Sequence, residues 1–251
     1  MLNSIRQLLS SKTPAAPAAE AHTTYPPDFT LDEIAVIEQV KPFTMTSPER
    51  MVSLIRAVKY LAESGIAGDI VECGVWRGGS MMIVAKVLSA LGITDRSLYL
   101  YDTFEGMSEP RESVDVSYEG DSAKTLLEIR EKTEQDYIWC YSPIEEVKKN
   151  VYGTGYPAAR THFVKGKVED TIPATVPDQI ALLRLDTDWY DSTYHELTHL
   201  FPRLVKGGIL IIDDYGHWQG AQKATDDYFR QHNVKIFLGR ADYTGRIAVK
   251  M

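Results

Sequence analysis

Two short acidic motifs, Asp186-Thr187-Asp188 and Asp213-Asp214, carry the residues best equipped for chemistry in this chain. Each follows an apolar run, residues 179–185 and 209–212, that reads as a buried strand. Three or four carboxylates brought together repel one another strongly unless a cation sits among them. An all-oxygen donor set selects a hard ion such as Mg2+, with waters or substrate oxygens completing its octahedron. The alternative is that one acid of each motif faces a site and the others cap helices. His217, just beyond the second motif, is placed to touch a substrate or act as a base.

A second constellation lies upstream, in Asp69-Ile-Val-Glu-Cys-Gly-Val-Trp-Arg-Gly-Gly-Ser80. An apolar start, an acid at Glu72 and glycines at Gly74, Gly78 and Gly79 run straight into a helix-like stretch over residues 81–91. Glycines at such a turn let the backbone approach a ligand, and the first N–H groups of the helix face the same spot. The spacing is E-x-G-x-x-x-G-G and not the dinucleotide G-x-G-x-x-G, so NAD is not indicated. Asp102 ends the next apolar run, residues 97–101, where an acid can accept hydrogen bonds from both hydroxyls of a ribose. Phe104 is read either as a stacking partner for adenine or as packing under the loop. Glu72 is read either as a partner for the ammonium of an amino-acid moiety or as half of an ion pair.

His195-Glu196-Leu-Thr-His199 matches the H-E-x-x-H pattern of zinc proteases. It falls, however, on the helix that must cross between the fourth and fifth strands. The apolar positions Tyr194, Leu197, Phe201 and Leu204 turn to the sheet and leave both histidines on the flank, with no third ligand on a second helix. The pattern is therefore read as a surface helix.

The elements that must position these residues alternate. Helices are expected over 31–40 and from Ser47-Pro48 to Gly65, then strand 70–73, helix 81–91 and strand 97–101. Helices follow at 122–133 and after a capping box at Ser142-Pro-Ile-Glu145, then strands at 161–164 and 179–185. A crossover helix over 191–205, strand 209–212, helix 219–232 and an antiparallel pair, 234–238 with 246–250, close the chain. Strand–helix alternation gives an α/β Rossmann-like sheet, mostly parallel, covered by helices on both faces. Ligands of such sheets bind beyond the carboxyl ends of the strands, where Glu72, Asp102, Asp186, Asp188, Asp213 and Asp214 all fall.

A chain of 251 residues with 44% hydrophobic and 25% charged residues supports a substantial core. The net charge of −8 and the lack of a Lys/Arg run argue against nucleic acid as a partner. Cys73 and Cys140 form neither a disulfide framework nor a Cys-rich metal spacing, and Cys73 is read as core. No apolar run approaches the ~20 residues of a membrane span, and no secretory h-region is present. A cytoplasmic protein without a membrane partner is expected. Residues 1–24 are Ala/Pro-rich after a short apolar start and read as a flexible extension, with the domain proper spanning 25–251.

With these pieces in place, the sequence resembles the macrocin O-methyltransferase (TylF-type) family, which methylates sugar hydroxyls of natural products with S-adenosylmethionine. The matching stretches are T-M-T at 44–46, D-I-V-E-C-G-V-W-R-G-G at 69–79, Y-D-T-F-E-G-M at 101–107 and G-K-V-E-D-T-I-P at 166–173. L-R-L-D-T-D-W-Y-D-S-T at 183–193 and F-P-R-L-V-K-G-G-I-L-I-I-D-D-Y-G at 201–216 complete them. The resemblance implies a seven-stranded methyltransferase sheet with an antiparallel last strand. It puts the cofactor against Thr44, Met45, Glu72, Gly74, Val75, Trp76, Arg77, Gly78, Gly79, Ser80, Asp102, Phe104, Lys167, Val168, Asp170 and Asp186. Asp188, Asp213 and Asp214 match the family's Mg2+ ligands, and Asp188 also its proposed base. The segments 25–46 and 105–160 would form the lid over a small-molecule hydroxyl acceptor, expected to be glycosylated, and a homo-oligomer is a further expectation. The competing readings are a non-catalytic cofactor-binding scaffold of the same fold and a methyltransferase for a catechol-like hydroxyl.

Overall fold

A computed structural model describes residues 25–251; the expected N-terminal extension, 1–24, lies outside the described residues. Helix α1 (Leu31–Val40) opens with a capping box in which Thr30 and Glu33 satisfy each other's backbone N–H groups. Helix α2 (Pro48–Glu63) starts from Ser47, whose hydroxyl accepts from the Arg50 N–H at 3.1 Å, with proline in the first turn. Strand β1 (Asp69–Cys73) leads into α3 (Gly79–Ala90), β2 (Leu98–Asp102), α4 (Ala123–Glu128) and α5 (Ile144–Tyr152). Then come β3 (Thr161–Lys165), α6 (Val168–Thr171), β4 (Ile180–Leu185), α7 (Tyr190–Leu200) and β5 (Leu204–Ile212). Helix α8 (Gln219–Gln231), β6 (Gly239–Arg240) and β7 (Arg246–Val249) end the chain.

The strands form one seven-stranded sheet in the order β3-β2-β1-β4-β5-β7-β6, parallel from β3 to β5 and antiparallel at β7 and β6. Side chains alternate between its faces. Ile70, Leu98, Leu100, Leu182, Ile209 and Ile211 join α2 and α3 in one core, with Ile37 and Val40 of α1 and Val147 and Val151 of α5. Val71, Cys73, Tyr101, Leu183, Leu185, Leu210 and Ile212 join α7 and α8 in the other. The chain runs outward to β2 and β3 on one side of β1 and to β4 and β5 on the other. The switch point of the sheet is thus the crevice between the ends of β1 and β4.

Several boundaries differ from the sequence expectation. Helix α7 stops at Leu200 because Pro202 cannot continue it; a short 3-10 turn follows, and β5 begins already at Leu204, opposite Ile180. The expected strand at 234–238 forms no ladder: Val234, Ile236 and Leu238 pack on the core, but pairing with β7 occurs only at Gly239 and Arg240. Helix α4 is shorter than expected and ends before the polar run 130–134, which offers no apolar face. No capping box forms at Ser142, because α5 starts one residue later and leaves the Ser142 hydroxyl buried without a partner.

Candidate active site

At the end of β1 the chain makes a tight turn that only glycine permits at two points. Gly74 has φ +81°, and a Cβ there would lie 1.9 Å from the Asp186 carbonyl oxygen. Gly78, at φ +89°, caps α3 and faces Val151. Trp76 is held at φ +47°, an unfavourable region for a bulky side chain. Asp102 fixes this turn from the neighbouring strand: its Oδ2 accepts from the N–H groups of Val75 at 2.7 Å and Trp76 at 3.1 Å. Its Oδ1 accepts from the Phe104 N–H at 2.6 Å. Burial raises the Asp102 carboxyl above the usual range, against the opposing pull of these N–H groups.

At the ends of β4 and β5 the acids meet arginines. Arg184, the charged residue inside β4, reaches Glu72 at 2.7 Å, Asp186 at 2.7 Å and Asp213 at 2.8 Å while remaining 4% exposed. Arg50, from α2, bonds the other Asp213 oxygen and lies 3.0 Å from Asp242. Ligand oxygens of Asp186, Asp213 and Asp214 all lie within 4.8 Å of one another. The carboxyls of Asp186 and Asp188 both pack against Asp214, whose Oδ2 is buried without a hydrogen-bond donor. Burial, then the charge of Asp186, pushes Asp188 up to about 8. Burial drives Asp186 and Asp214 well above the ordinary range, with repulsion from neighbouring acids adding to it. Burial also raises Glu72, to about 7, although Arg184 opposes this. Glu72 and five aspartates thus gather near two guanidiniums, so acidic groups outnumber basic ones here.

A cavity of about 300 Å³ opens between these two constellations. Its floor is the glycine turn, Asp102 and the acids; its walls include Thr44 and Met45, Lys167 and Val168, and the aromatic residues Tyr137, Trp189 and Trp218. Trp189 and Trp218 meet edge to face with centroids 5.0 Å apart.

A macrocin O-methyltransferase (TylF) family model matches residues 38–249. The chain belongs to this family. It is similar to the 8-demethyl-8-(2,3-dimethoxy-alpha-L-rhamnosyl)-tetracenomycin-C 4'-O-methyltransferase of Streptomyces olivaceus, 34% identical over 80% of this chain and 73% of that protein. The mycinamicin III 3''-O-methyltransferase of Micromonospora griseorubida is 29% identical, over 80% of this chain and 76% of the relative. The structure of the O-methyltransferase NovP superposes with a TM-score of 0.70 at 28% identity, covering 83% of this chain and 82% of NovP. The calicheamicin methyltransferase CalS11, at 17% identity and a TM-score of 0.56 over 88% of this chain and 93% of its own, shares the fold. The protein is an O-methyltransferase with the Rossmann-like sheet of that enzyme class.

Of the residues expected from sequence, Thr44, Met45, Gly74, Val75, Trp76, Gly79, Ser80, Asp102, Lys167, Val168, Asp186, Asp188, Asp213, Asp214 and His217 line the cavity of this macrocin-type fold. Five others do not line it. Glu72 is turned into the sheet by Arg184. Arg77 stacks over Trp76 and donates to the Glu134 carbonyl at 2.7 Å. Gly78 packs on Val151, Phe104 is buried near Phe163, and Asp170 is exposed on α6. The tight acid triad also differs from the expected one: it contains Asp186, and Asp188 stands beside it against Asp214. The reason is local, since Asp188 sits in a left-handed backbone conformation, φ +65°, that turns it from its neighbour's direction. Arg50 and Arg184 went unread in the sequence. Their signals were an arginine inside the apolar run Ile180–Leu185 and another in register with the buried stripe Leu54, Val58 and Leu61. His195 and His199 of H-E-x-x-H lie on the flank of α7, while Glu196 points into the core.

Proposed function

We propose that this O-methyltransferase takes its methyl group from S-adenosylmethionine, requires Mg2+, and methylates a hydroxyl of a glycosylated small molecule. The observation carrying the proposal is a cluster of carboxyls at the ends of β4 and β5, beside a cavity whose other half is a glycine turn and the half-buried acid Asp102. The residues fit a divalent ion. Three carboxylates offer oxygens within 4.8 Å of one another, and Asp214 has a buried oxygen without a donor. Asp186, Asp213 and Asp214 would hold the ion; Asp213 shares its charge with Arg50 and Arg184, and Asp214 has the freest oxygen. When bound, Mg2+ would lower the pKa of a coordinated hydroxyl and orient it.

The chain's own groups do the rest. The glycine turn and the first N–H groups of α3 receive the carboxylate end of the donor. Asp102 is already engaged by three backbone N–H groups, with the Thr103 hydroxyl 3.4 Å away, and in this reading its remaining acceptor capacity takes a ribose hydroxyl. Asp188 collects the acceptor's proton; burial and the neighbouring Asp186 raise its proton affinity above that of an ordinary carboxylate. Trp189, Trp218 and Tyr137 supply flat apolar faces for a sugar ring, and His217 contacts the acceptor. Their cover also excludes water while the methyl passes in line from sulfur to oxygen. Relatives named for methylating a rhamnosyl tetracenomycin and mycinamicin III favour a glycosylated acceptor. We further take 25–251 as one catalytic domain, with 25–46 and 105–160 shaping the acceptor side. Labelled methyl transfer from S-adenosylmethionine to a panel of natural-product glycosides, before and after chelation, tests the reading. Transfer lost on chelation and restored by Mg2+ supports it; transfer indifferent to chelator contradicts the metal role.

A further inference from the structure

The acid of the unused H-E-x-x-H motif occupies an unexpected place. Glu196 lies on the inward face of α7 with 0% exposure, while His195 and His199 stay on the flank, their rings 4.4 Å apart. Its Oε1 accepts the Thr187 hydroxyl at 2.9 Å, its Oε2 is buried without a partner, and the Cys73 thiol lies against the carboxyl. A leucine or methionine would fill this space without the cost of desolvating a carboxyl. The acid therefore has a task that packing alone does not supply.

Both neighbours belong to the site. Cys73 ends β1 and its carbonyl accepts the Asp186 N–H at 2.8 Å. Thr187 lies between the two acids, and the backbone folds tightly behind it, with the Trp189 N–H 2.7 Å from the Thr187 carbonyl. Asp188 next to it is held at φ +65°. Such a conformation is strained for a residue with a side chain and persists only where its surroundings over-determine it. The Glu196–Thr187 bond anchors the middle of that loop, between the Arg184–Asp186 pair on one side and the Trp189 indole N–H donated to the Ser108 carbonyl at 3.1 Å on the other.

We propose that Glu196 is a positioning residue that clamps the 186–189 loop through Thr187 and so fixes Asp188 at the reacting hydroxyl. The idea rests on Asp188 being the proton acceptor, but its structural half can be measured without turnover. Hydrogen–deuterium exchange of peptides covering 185–190 is compared in the parent, Glu196→Ala, Thr187→Val and Glu196→Gln. Exchange there should rise about tenfold in Glu196→Ala and Thr187→Val, stay within about threefold in Glu196→Gln, and remain unchanged over 81–88 of α3. In parallel, kcat should fall at least about tenfold for the first two variants with KM for the methyl donor unchanged, and glutamine should rescue it. Thr187→Val carries the test if Glu196→Ala does not fold. Protection unchanged in Thr187→Val, a rise spread equally over α3, or glutamine behaving like alanine would overturn the proposal. Altered exchange in a protein whose parent methylates no glycoside would leave the clamp standing and remove the proposed acceptor class.

Discussion

The two ends of the cavity bury acids in opposite ways. At β1 and β2, Asp102 is held by backbone N–H groups of the turn it stabilises. At β4 and β5, Asp186 and Asp213 are held by arginine side chains, and Asp214 by neither. Backbone donors make a rigid cradle of nearly neutral character, suited to hydroxyls and a carboxylate. Arginines outnumbered by acids make an acidic basin, which on the proposed function a divalent cation would complete. The difference teaches that one rim can serve binding and chemistry separately, because the counter-charges differ in kind.

The comparison can be broken most severely at the base. Asp188→Asn should lower turnover by about 10²–10⁴-fold, the usual worth of a positioned general base, with calorimetric affinity for S-adenosylmethionine unchanged. Arg184→Met removes the common partner of Glu72, Asp186 and Asp213. Breaking a buried ion network from one side costs about 3–5 kcal/mol, so urea unfolding should show a loss of that size. Asp102→Ala should instead cost about 1.5–3 kcal/mol of donor affinity by calorimetry, with little change in Mg2+ dependence. If Arg184→Met and Asp102→Ala gave the same phenotype, the two ends would not be distinct.

The smallest effect sharpens the contrast through pH. Asp242 accepts from Ser47 at 2.7 Å and from the N–H groups of Gly245 at 2.7 Å and Thr244 at 3.0 Å, and it faces Arg50. Burial alone would raise its pKa, but these donors outweigh burial and hold it below the usual range. A depressed folded pKa contributes stability above the unfolded value that is lost as pH falls through the folded one. Asp102 is raised, so its contribution is present at low pH and lost as pH rises through its folded pKa. Asp242→Asn should therefore cost about 1 kcal/mol near pH 7 and nothing in acid, whereas Asp102→Asn should show the opposite pH trend in urea titrations.

The cradle was legible in sequence because it is written in glycines and strand ends: the run 69–80 and Asp102 have few other readings. The alternation also gave away the order of strand and helix; the boundaries moved at Pro202, at the short edge strand at Gly239, and at the ends of α4 and α5. The basin was half legible. Its acids announce themselves, but which of them converge depends on the left-handed turn at Asp188 and on arginines from β4 and α2, separated from them in sequence by up to the distance from Arg50 to Asp213. The aromatic wall was least readable. Tyr137 and Trp218 reach the cavity while Tyr118 and Tyr152 do not, and nothing in their spacing separates them.

The central claim is a division of labour on one rim, with Asp186, Asp213 and Asp214 for the cation and Asp188 for the proton. Mn2+ titration followed by electron paramagnetic resonance, on Asp214→Asn and Asp188→Asn, tests it most directly. The account predicts that Asp214→Asn loses Mn2+ by at least about tenfold, as removal of one carboxylate ligand should, while Asp188→Asn binds Mn2+ like the parent yet does not turn over. Mn2+ lost on Asp188→Asn and kept on Asp214→Asn would contradict it.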